Sequence, residues 1–236
     1  MVQLRTYIFT ISNECNENRK YWKMLESDIQ YIDRRIPNTA SFSFLPFHSY
    51  GHASRATMSV AKLLYRIVAP DLEITFTERN TSSTLHDHTY GITSDPLTQF
   101  ACILAALIHD VDHQGVPNTA HVEEQDSVAQ KYKGRSVAEQ NAVDIAWALF
   151  LEPQFILLRN NICPIDKELD RLRQLVVNTV LATYIMDNDL KQLRNQRWEK
   201  AFSSDLKDTN EDDQDQINRK ATIVLEHLIQ ASCSPG

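Results

Sequence analysis

The segment 97–118, LTQFACILAALIHDVDHQGVPN, constrains the fold most strongly because an apolar run ends directly in a group of ionisable side chains. Leu104, Leu107 and Ile108 recur at helical spacing among other apolar residues, which predicts a helix buried on most sides. Four ionisable residues follow within five positions: His109, Asp110, Asp112 and His113. Burying such groups costs free energy unless a metal ion or charged partners satisfy them. The segment therefore predicts a functional centre at the end of a core helix.

The composition is that of a globular protein large enough to bury one sizeable core. The chain has 236 residues, of which 42% are hydrophobic and 23% charged, and its net charge of −7 argues against broad nucleic-acid binding. The four cysteines are widely spaced without a CxxC pair, which favours a reducing compartment. No apolar run is long enough to cross a membrane, and the start lacks the layout of a secretory signal. We expect a cytoplasmic protein.

The pattern along the chain predicts an all-α fold of seven or more helices without a strand ladder. Asp95 followed by Pro96 marks a helix start, and Ser136-Val-Ala-Glu139 fits a capping box that opens a helix through Phe150. Further helices are predicted over 47–69, 119–132, 165–186, 187–202 and 217–232. We assign 1–46 to an N-terminal helical segment with a connector and 47–236 to the functional domain.

Two pairs of histidines outside the central segment receive different interpretations. His48 and His52 are four residues apart at the start of the predicted helix 47–69, so they share one face. His52, together with His109 and Asp110, would supply imidazole and carboxylate ligands that suit zinc or another transition metal. A second, harder ion such as Mg²⁺ would keep several of its waters. His86 and His88, in contrast, are predicted to lie in a loop outside the site.

These motifs resemble those of class I 3′,5′-cyclic-nucleotide phosphodiesterases. FHSYGHA (47–53) is similar to the HNxxHA element of that family, and HDVDHQGVPN (109–118) matches its HDxDHxGxxN signature at every fixed position. The resemblance extends over about 47–232. It implies an all-α bundle of the HD-domain superfamily that holds two divalent metal ions, Zn²⁺ and Mg²⁺ or Mn²⁺. The implied reaction is hydrolysis of cyclic AMP, cyclic GMP or both to nucleoside 5′-monophosphates in signal transduction.

The resemblance also implies a role for individual residues. His52, His109 and Asp110 correspond to metal ligands, with Asp110 bridging the two ions, and His48 corresponds to the general acid that protonates the departing 3′ oxygen. The residues that correspond to water-ordering or structural members of the signature are Asp112, His113, Asn118, Glu139 and Thr183. The implied substrate is a small cyclic nucleotide, and neither a nucleic acid nor a membrane is implied as a partner.

The chain departs from the family pattern at several positions. Ser49 stands where Asn is usual, Ala56 stands where Val is expected, and Tyr184 follows Thr183 where the family commonly has Asp. Cys233 occupies the position of a further Asp ligand, and since a thiolate can bind zinc, Cys233 is a candidate substitute ligand. The family's base-recognition segment would follow this point, so we expect a bundle that is incomplete at its C-terminal end.

Two alternatives remain open at the level of sequence. HD pairs occur throughout the superfamily, so the chain could be a phosphohydrolase that acts on another nucleotide. It could instead be a shortened, catalytically impaired homologue with a regulatory or binding role. In that case we expect self-association through an apolar surface where further helices would otherwise pack.

Overall fold

A computed structural model describes residues 48–68, 89–186, 188–202 and 213–233. Within these ranges the chain forms α-helices, two short 3₁₀ turns and connecting loops, without a strand, which confirms the predicted all-α class. The predicted N-terminal segment at 1–46 and the loop with His86 and His88 lie outside the described residues. The α-helices in these ranges are α1 Tyr50–Val68, α2 Pro96–Ile108, α3 Asn118–Glu123, α4 Ser127–Lys131, α5 Val137–Phe150, α6 Ile156–Ile162, α7 Asp166–Leu181, α8 Asn188–Phe202 and α9 Asp213–Cys233.

Helix α2 lies at the centre of the bundle and contributes to two apolar clusters. Leu104, Ala105 and Ile108 pack with α5, α6 and α7 in one cluster, while Cys102 and Ala106 pack with α1 and α9 in the other. Because both clusters bury residues of α2, the helix is surrounded on most sides, as its apolar sequence predicts. The end of α2 is therefore fixed by packing against four other helices.

The start of α2 is fixed by the cap that the sequence predicts. The Asp95 side chain accepts hydrogen bonds from the Thr98 backbone N–H at 3.2 Å and from the Thr98 hydroxyl at 2.6 Å, and Pro96 occupies the first turn. Arg171 of α7 also pairs with the Asp95 carboxylate. The cap and this ion pair tie the beginning of the central helix to α7.

The predicted capping box at the start of α5 is wrong. Ser136 has a left-handed backbone with φ 39° and its side chain makes no cap hydrogen bond. The Glu139 carboxylate instead accepts a hydrogen bond from Asn118. The sequence contains the Ser-x-x-Glu pattern of a capping box. The Glu139 carboxylate nevertheless takes its hydrogen bond from Asn118, which is distant in the chain, and not from the backbone at Ser136.

Two predicted helical segments are divided differently in the structure. The polar segment 119–132 forms two short helices, α3 and α4, because Asp126 caps a new start by accepting from the Ala129 N–H at 2.6 Å. The segment 165–186 ends as helix α7 at Leu181, and α8 begins at Asn188. Among the described helices none is by itself long and apolar enough to cross a membrane; Val137–Phe150 and Pro153–Ile162 reach that length and hydropathy only as a pair bent by 72°.

Candidate metal centre

The packing of α1 against α2 brings together the histidines and the aspartate that the sequence singles out. His52 lies in the first turn of α1, while His109 and Asp110 directly follow the last turn of α2. One ligand atom from each of these three residues lies within 4.8 Å of the other two. His52 and His109 are 57 positions apart in the chain (109 − 52), and the packing of α1 against α2 brings them together.

The geometry of this group favours a cation. The buried Oδ2 of Asp110 has no hydrogen-bond partner among the residues that the structure describes, and it lies 3.4 Å from Nε2 of His109 and 3.8 Å from Nε2 of His52. Three electron-pair donors therefore converge at a site where Asp110 and His109 are buried and His52 is partly buried. Two imidazoles and one carboxylate form a ligand set that suits zinc and other transition metals. The residues present thus fit a divalent metal ion.

The tautomer of His109 supports this interpretation. Its Nδ1 lies 2.9 Å from the Ala106 carbonyl oxygen, which can only accept a hydrogen bond, so Nδ1 carries the proton. In the neutral ring Nε2 then has a free electron pair directed toward Asp110. A backbone carbonyl on the far nitrogen is the usual way in which proteins orient a metal-binding histidine.

The charge states of His52 and Asp110 fit the same role. Burial lowers the pKa of His52 below its ordinary value, and the Asp110 charge offsets this only in part, so the ring is neutral at pH 7. Burial alone would raise the pKa of Asp110, but the hydrogen bond from His48 and the neighbouring imidazoles hold it below its usual range. A neutral imidazole and an ionised carboxylate are the forms that bind metals.

His48 lies beside this group without being one of the three converging ligands. It precedes the first turn of α1, and its Nδ1 lies 3.1 Å from Oδ1 of Asp110, the oxygen that faces away from the other two histidines. Its side chain is 36% exposed, so the ring can be reached from solvent. Because an ionised carboxylate can only accept a hydrogen bond, Nδ1 of His48 donates its proton to Asp110. A protonated His48 ring would carry its second proton on Nε2.

His113 stacks on His48, with ring centroids 3.6 Å apart and an interplanar angle of 6°. Burial, followed by the charge of His48, lowers the pKa of His113 to about 4, so the ring is neutral at pH 7. The Gly115 backbone N–H donates to Nδ1 at 2.9 Å, which places the ring proton on Nε2. His113 therefore offers an N–H donor next to the ring of His48.

Asn118 and Glu139 form a buried pair behind the ligands. Nδ2 of Asn118 donates to Oε2 of Glu139 at 2.8 Å, and Oδ1 of Asn118 accepts from the Ala138 N–H at 2.9 Å. Burial raises the pKa of Glu139, the Asn118 amide opposes that rise, and the Asp110 charge adds to it. One asparagine thus connects the start of α3 to the first turn of α5.

Asp112 has a structural role in the same loop. Its backbone is left-handed with φ 58°, and its Oδ2 accepts a hydrogen bond from Nδ2 of Asn141 at 3.1 Å. The contact ties the turn that follows Asp110 to α5. No sequence pattern pointed to Asn141, because an asparagine on a helix is ordinarily interpreted as a solvent-facing residue.

Two further predicted residues lie outside the three-residue group. The Thr183 hydroxyl donates to the Val180 carbonyl at 2.7 Å, at the end of α7. Cys233 is the last residue of α9 and packs against the apolar cluster that contains Ala106. Burial raises the pKa of Cys233 to about 12, and the Asp110 charge adds to this effect. Without a metal the thiol therefore stays protonated.

A separate cleft of about 360 Å³ lies between α5 and α7. Its lining includes Val143, Asp144, Asp170, Arg173 and Val177. None of the converging ligands lines this cleft. It therefore adds no group to the candidate metal centre.

Comparison with known proteins identifies relatives over most of the chain. The family model described as 3′5′-cyclic nucleotide phosphodiesterase matches residues 47–233. A 3′,5′-cyclic-AMP phosphodiesterase, isoform F, of Drosophila melanogaster is 32% identical over 143 residues, which cover 58% of this chain and 17% of the relative. The dual specificity calcium/calmodulin-dependent 3′,5′-cyclic nucleotide phosphodiesterase 1C of Mus musculus is 29% identical over 161 residues, or 63% of this chain and 20% of the relative.

Solved structures share the fold. The phosphodiesterase domain of the RhoPDE fusion protein from the choanoflagellate Salpingoeca rosetta superposes with a TM-score of 0.59 at 22% identity, over 89% of this chain and 55% of that chain. At this level of identity the likeness concerns the fold. The chain thus spans about half of the solved domain and no more than a fifth of the length of the two relatives described above.

Proposed function

The chain belongs to the 3′5′-cyclic nucleotide phosphodiesterase family, and on that premise we propose that it hydrolyses cyclic AMP, cyclic GMP or both to nucleoside 5′-monophosphates. The observation that carries the proposal is the buried Oδ2 of Asp110, which lacks a hydrogen-bond partner within the described ranges and lies near Nε2 of His52 and Nε2 of His109. These three residues would hold the first metal ion, and Asp110 would also help to hold a second. We propose Zn²⁺ as the first ion and Mg²⁺ or Mn²⁺ as the second.

Divalent ions bound there would activate water and offset the charge of the phosphoryl oxygens. His48 is proposed as the general acid: its Nδ1–H stays on Asp110 while Nε2 gives its proton to the departing 3′ oxygen. The position of His48 at the accessible edge of the centre supports this role.

The neighbouring residues are proposed to orient water and to keep the centre rigid. His113 offers Nε2–H as a donor, and Glu139, held by Asn118, offers a buried carboxylate within electrostatic reach of Asp110. Thr183 is proposed to order water at the second ion. Asp112 keeps the ligand loop on α5 through Asn141.

Cys233 is proposed as an additional zinc ligand in place of an aspartate. The thiol lies near enough to Asp110 for that charge to raise its pKa, and a bound metal would stabilise the thiolate. Substitution with Co²⁺ tests this role, because a cobalt–thiolate bond has a charge-transfer absorption that a Cys233→Ala variant would lack. Identical spectra for the two proteins would remove Cys233 from the ligand set.

Exposed apolar side chains and free cysteines support two further proposals, one on self-association and one on cellular location. Exposed apolar side chains, including Met186 at 75% and Ile185 at 62%, support self-association, which size-exclusion chromatography with light scattering would measure. Cys102, Cys163 and Cys233 are free thiols, which supports a reducing, cytoplasmic location. The boundary between 46 and 47 is proposed as the start of the catalytic region.

The deciding experiment combines metal analysis with a substrate panel. We expect bound zinc and turnover of a cyclic nucleotide after addition of Zn²⁺ and Mg²⁺. Hydrolysis of a noncyclic nucleotide alone would indicate a different HD-domain phosphohydrolase. Metal binding without turnover of any nucleotide would indicate a regulatory role.

A further inference from the structure

The C-terminal end of α7 is held by side chains from two other helices. Gln230 of α9 donates Nε2 to the Ala182 carbonyl at 2.8 Å. Arg194 of α8 donates to the same carbonyl at 3.4 Å and to the Tyr184 carbonyl at 3.2 Å. The last carbonyls of a helix have no partner within it, so these side chains supply bonds that the helix cannot.

The two helices that supply these side chains are themselves braced. Arg197 of α8 pairs with the buried Glu226 of α9 at 2.8 Å. Arg194 lies three residues before Arg197, and Gln230 lies four residues after Glu226, so each pair shares one helix face. The ion pair therefore fixes the distance between α8 and α9 at the point where both reach α7.

The held end of α7 shares a buried apolar cluster with the residue that orients His109, a proposed metal ligand. Ala182 and Ala106 belong to one buried apolar cluster, and the Ala106 carbonyl accepts the Nδ1 proton of His109. Cores are packed closely enough for a displacement on one side to be felt on the other. A shift of Ala182 would thus alter the support of the His109 ring.

We propose that Gln230 and Arg194 are positioning residues for the metal centre. They fix the end of α7, and through the buried apolar cluster that contains both Ala182 and Ala106 they fix the orientation of His109. The inference rests on the proposed function because it takes His109 to be a metal ligand. Groups that orient a ligand from behind typically change metal affinity by about 10- to 100-fold.

The test compares the double variant Gln230→Met/Arg194→Met with a matched control, Gln174→Met/Arg173→Met, on the exposed face of α7. Both remove an amide and a guanidinium and keep similar side-chain length. The full chain is titrated with Co²⁺, and the absorption spectrum of the bound ion is recorded. We expect the first variant to bind Co²⁺ about tenfold more weakly with an altered spectrum, and the control to match the wild type.

Unfolding in EDTA is measured in parallel to separate positioning from general stability. Unchanged Co²⁺ affinity and spectrum in a folded double variant would overturn the inference while leaving the proposed centre intact. A wild-type chain that binds no Co²⁺ would overturn the proposed centre and this inference with it. If the double variant does not fold, Gln230→Met alone is titrated, with Gln174→Met as its control and the same criteria.

Discussion

Nδ1 of His48 lies 3.1 Å from Oδ1 of Asp110, whereas Oδ2 of the same carboxylate lies 3.4 Å from Nε2 of His109 and 3.8 Å from Nε2 of His52. The two oxygens of one side chain thus contact different histidines. Because the contacts are on different oxygens, the proposed proton donor and the proposed metal ligands can be removed separately. The first two predictions use this separation.

Replacing His48 should affect turnover far more than metal binding. The variant His48→Ala removes the proposed proton donor but leaves Oδ2 of Asp110 and both ligand imidazoles in place. We expect kcat to fall by roughly 10²- to 10⁴-fold with zinc content close to that of the wild type. His227→Ala, on α9, is the control. Wild-type turnover by His48→Ala would exclude His48 from the mechanism.

Replacing either ligand histidine should remove metal. In His52→Ala or His109→Ala one of the three converging donors is lost, and Asp110 Oδ2 remains buried with fewer partners. We expect most of the bound zinc to be lost, as measured by elemental analysis after dialysis. Unchanged zinc in both variants would show that the metal is bound elsewhere.

Asn118 and Glu139 should show strong energetic coupling. Asn118→Asp places a second carboxylate against the buried Glu139, so we expect the free energy of unfolding to fall by about 1–3 kcal/mol. Adding Glu139→Gln restores a donor to the pair and should recover part of this loss. Urea unfolding of the four proteins of the double-mutant cycle measures the coupling, and additive effects would contradict a direct contact.

The metal-free chain should lose stability as the pH falls from 7 toward 4. The pKa of His113 is lowered from 6.5 to about 4 in the folded state, so in this range the unfolded chain binds more protons and acid favours unfolding. The lowered pKa of His52 acts in the same direction, and the raised pKa of Glu139 opposes it. In EDTA, His113→Gln should lose less stability between pH 7 and pH 5 than the wild type. Equal losses would show that His113 is not the group responsible.

Local patterns predicted much of this molecule because local interactions satisfy them. The Asp95 cap joins two residues that are only three positions apart. The apolar run of α2 favours burial by itself, so it predicts a buried helix without knowledge of the helices that pack on it. The capping box at Ser136 failed because Asn118, 21 residues away, binds Glu139 instead. A pattern of four neighbouring residues cannot include a hydrogen-bond partner as distant in the chain as Asn118.

The sequence by itself determined the helical class, the position of the central helix and the identity of the HDVDH cluster. Helical periodicity and the chemistry of the candidate ligands both depend only on residues that are close together in the chain. Only the tertiary structure decided that Oδ2 of Asp110 faces two imidazoles while Oδ1 faces His48, and that Gln230 and Arg194 reach the end of α7. These contacts join residues from different helices. Their geometry depends on how the helices pack, which the order of residues along one helix does not specify.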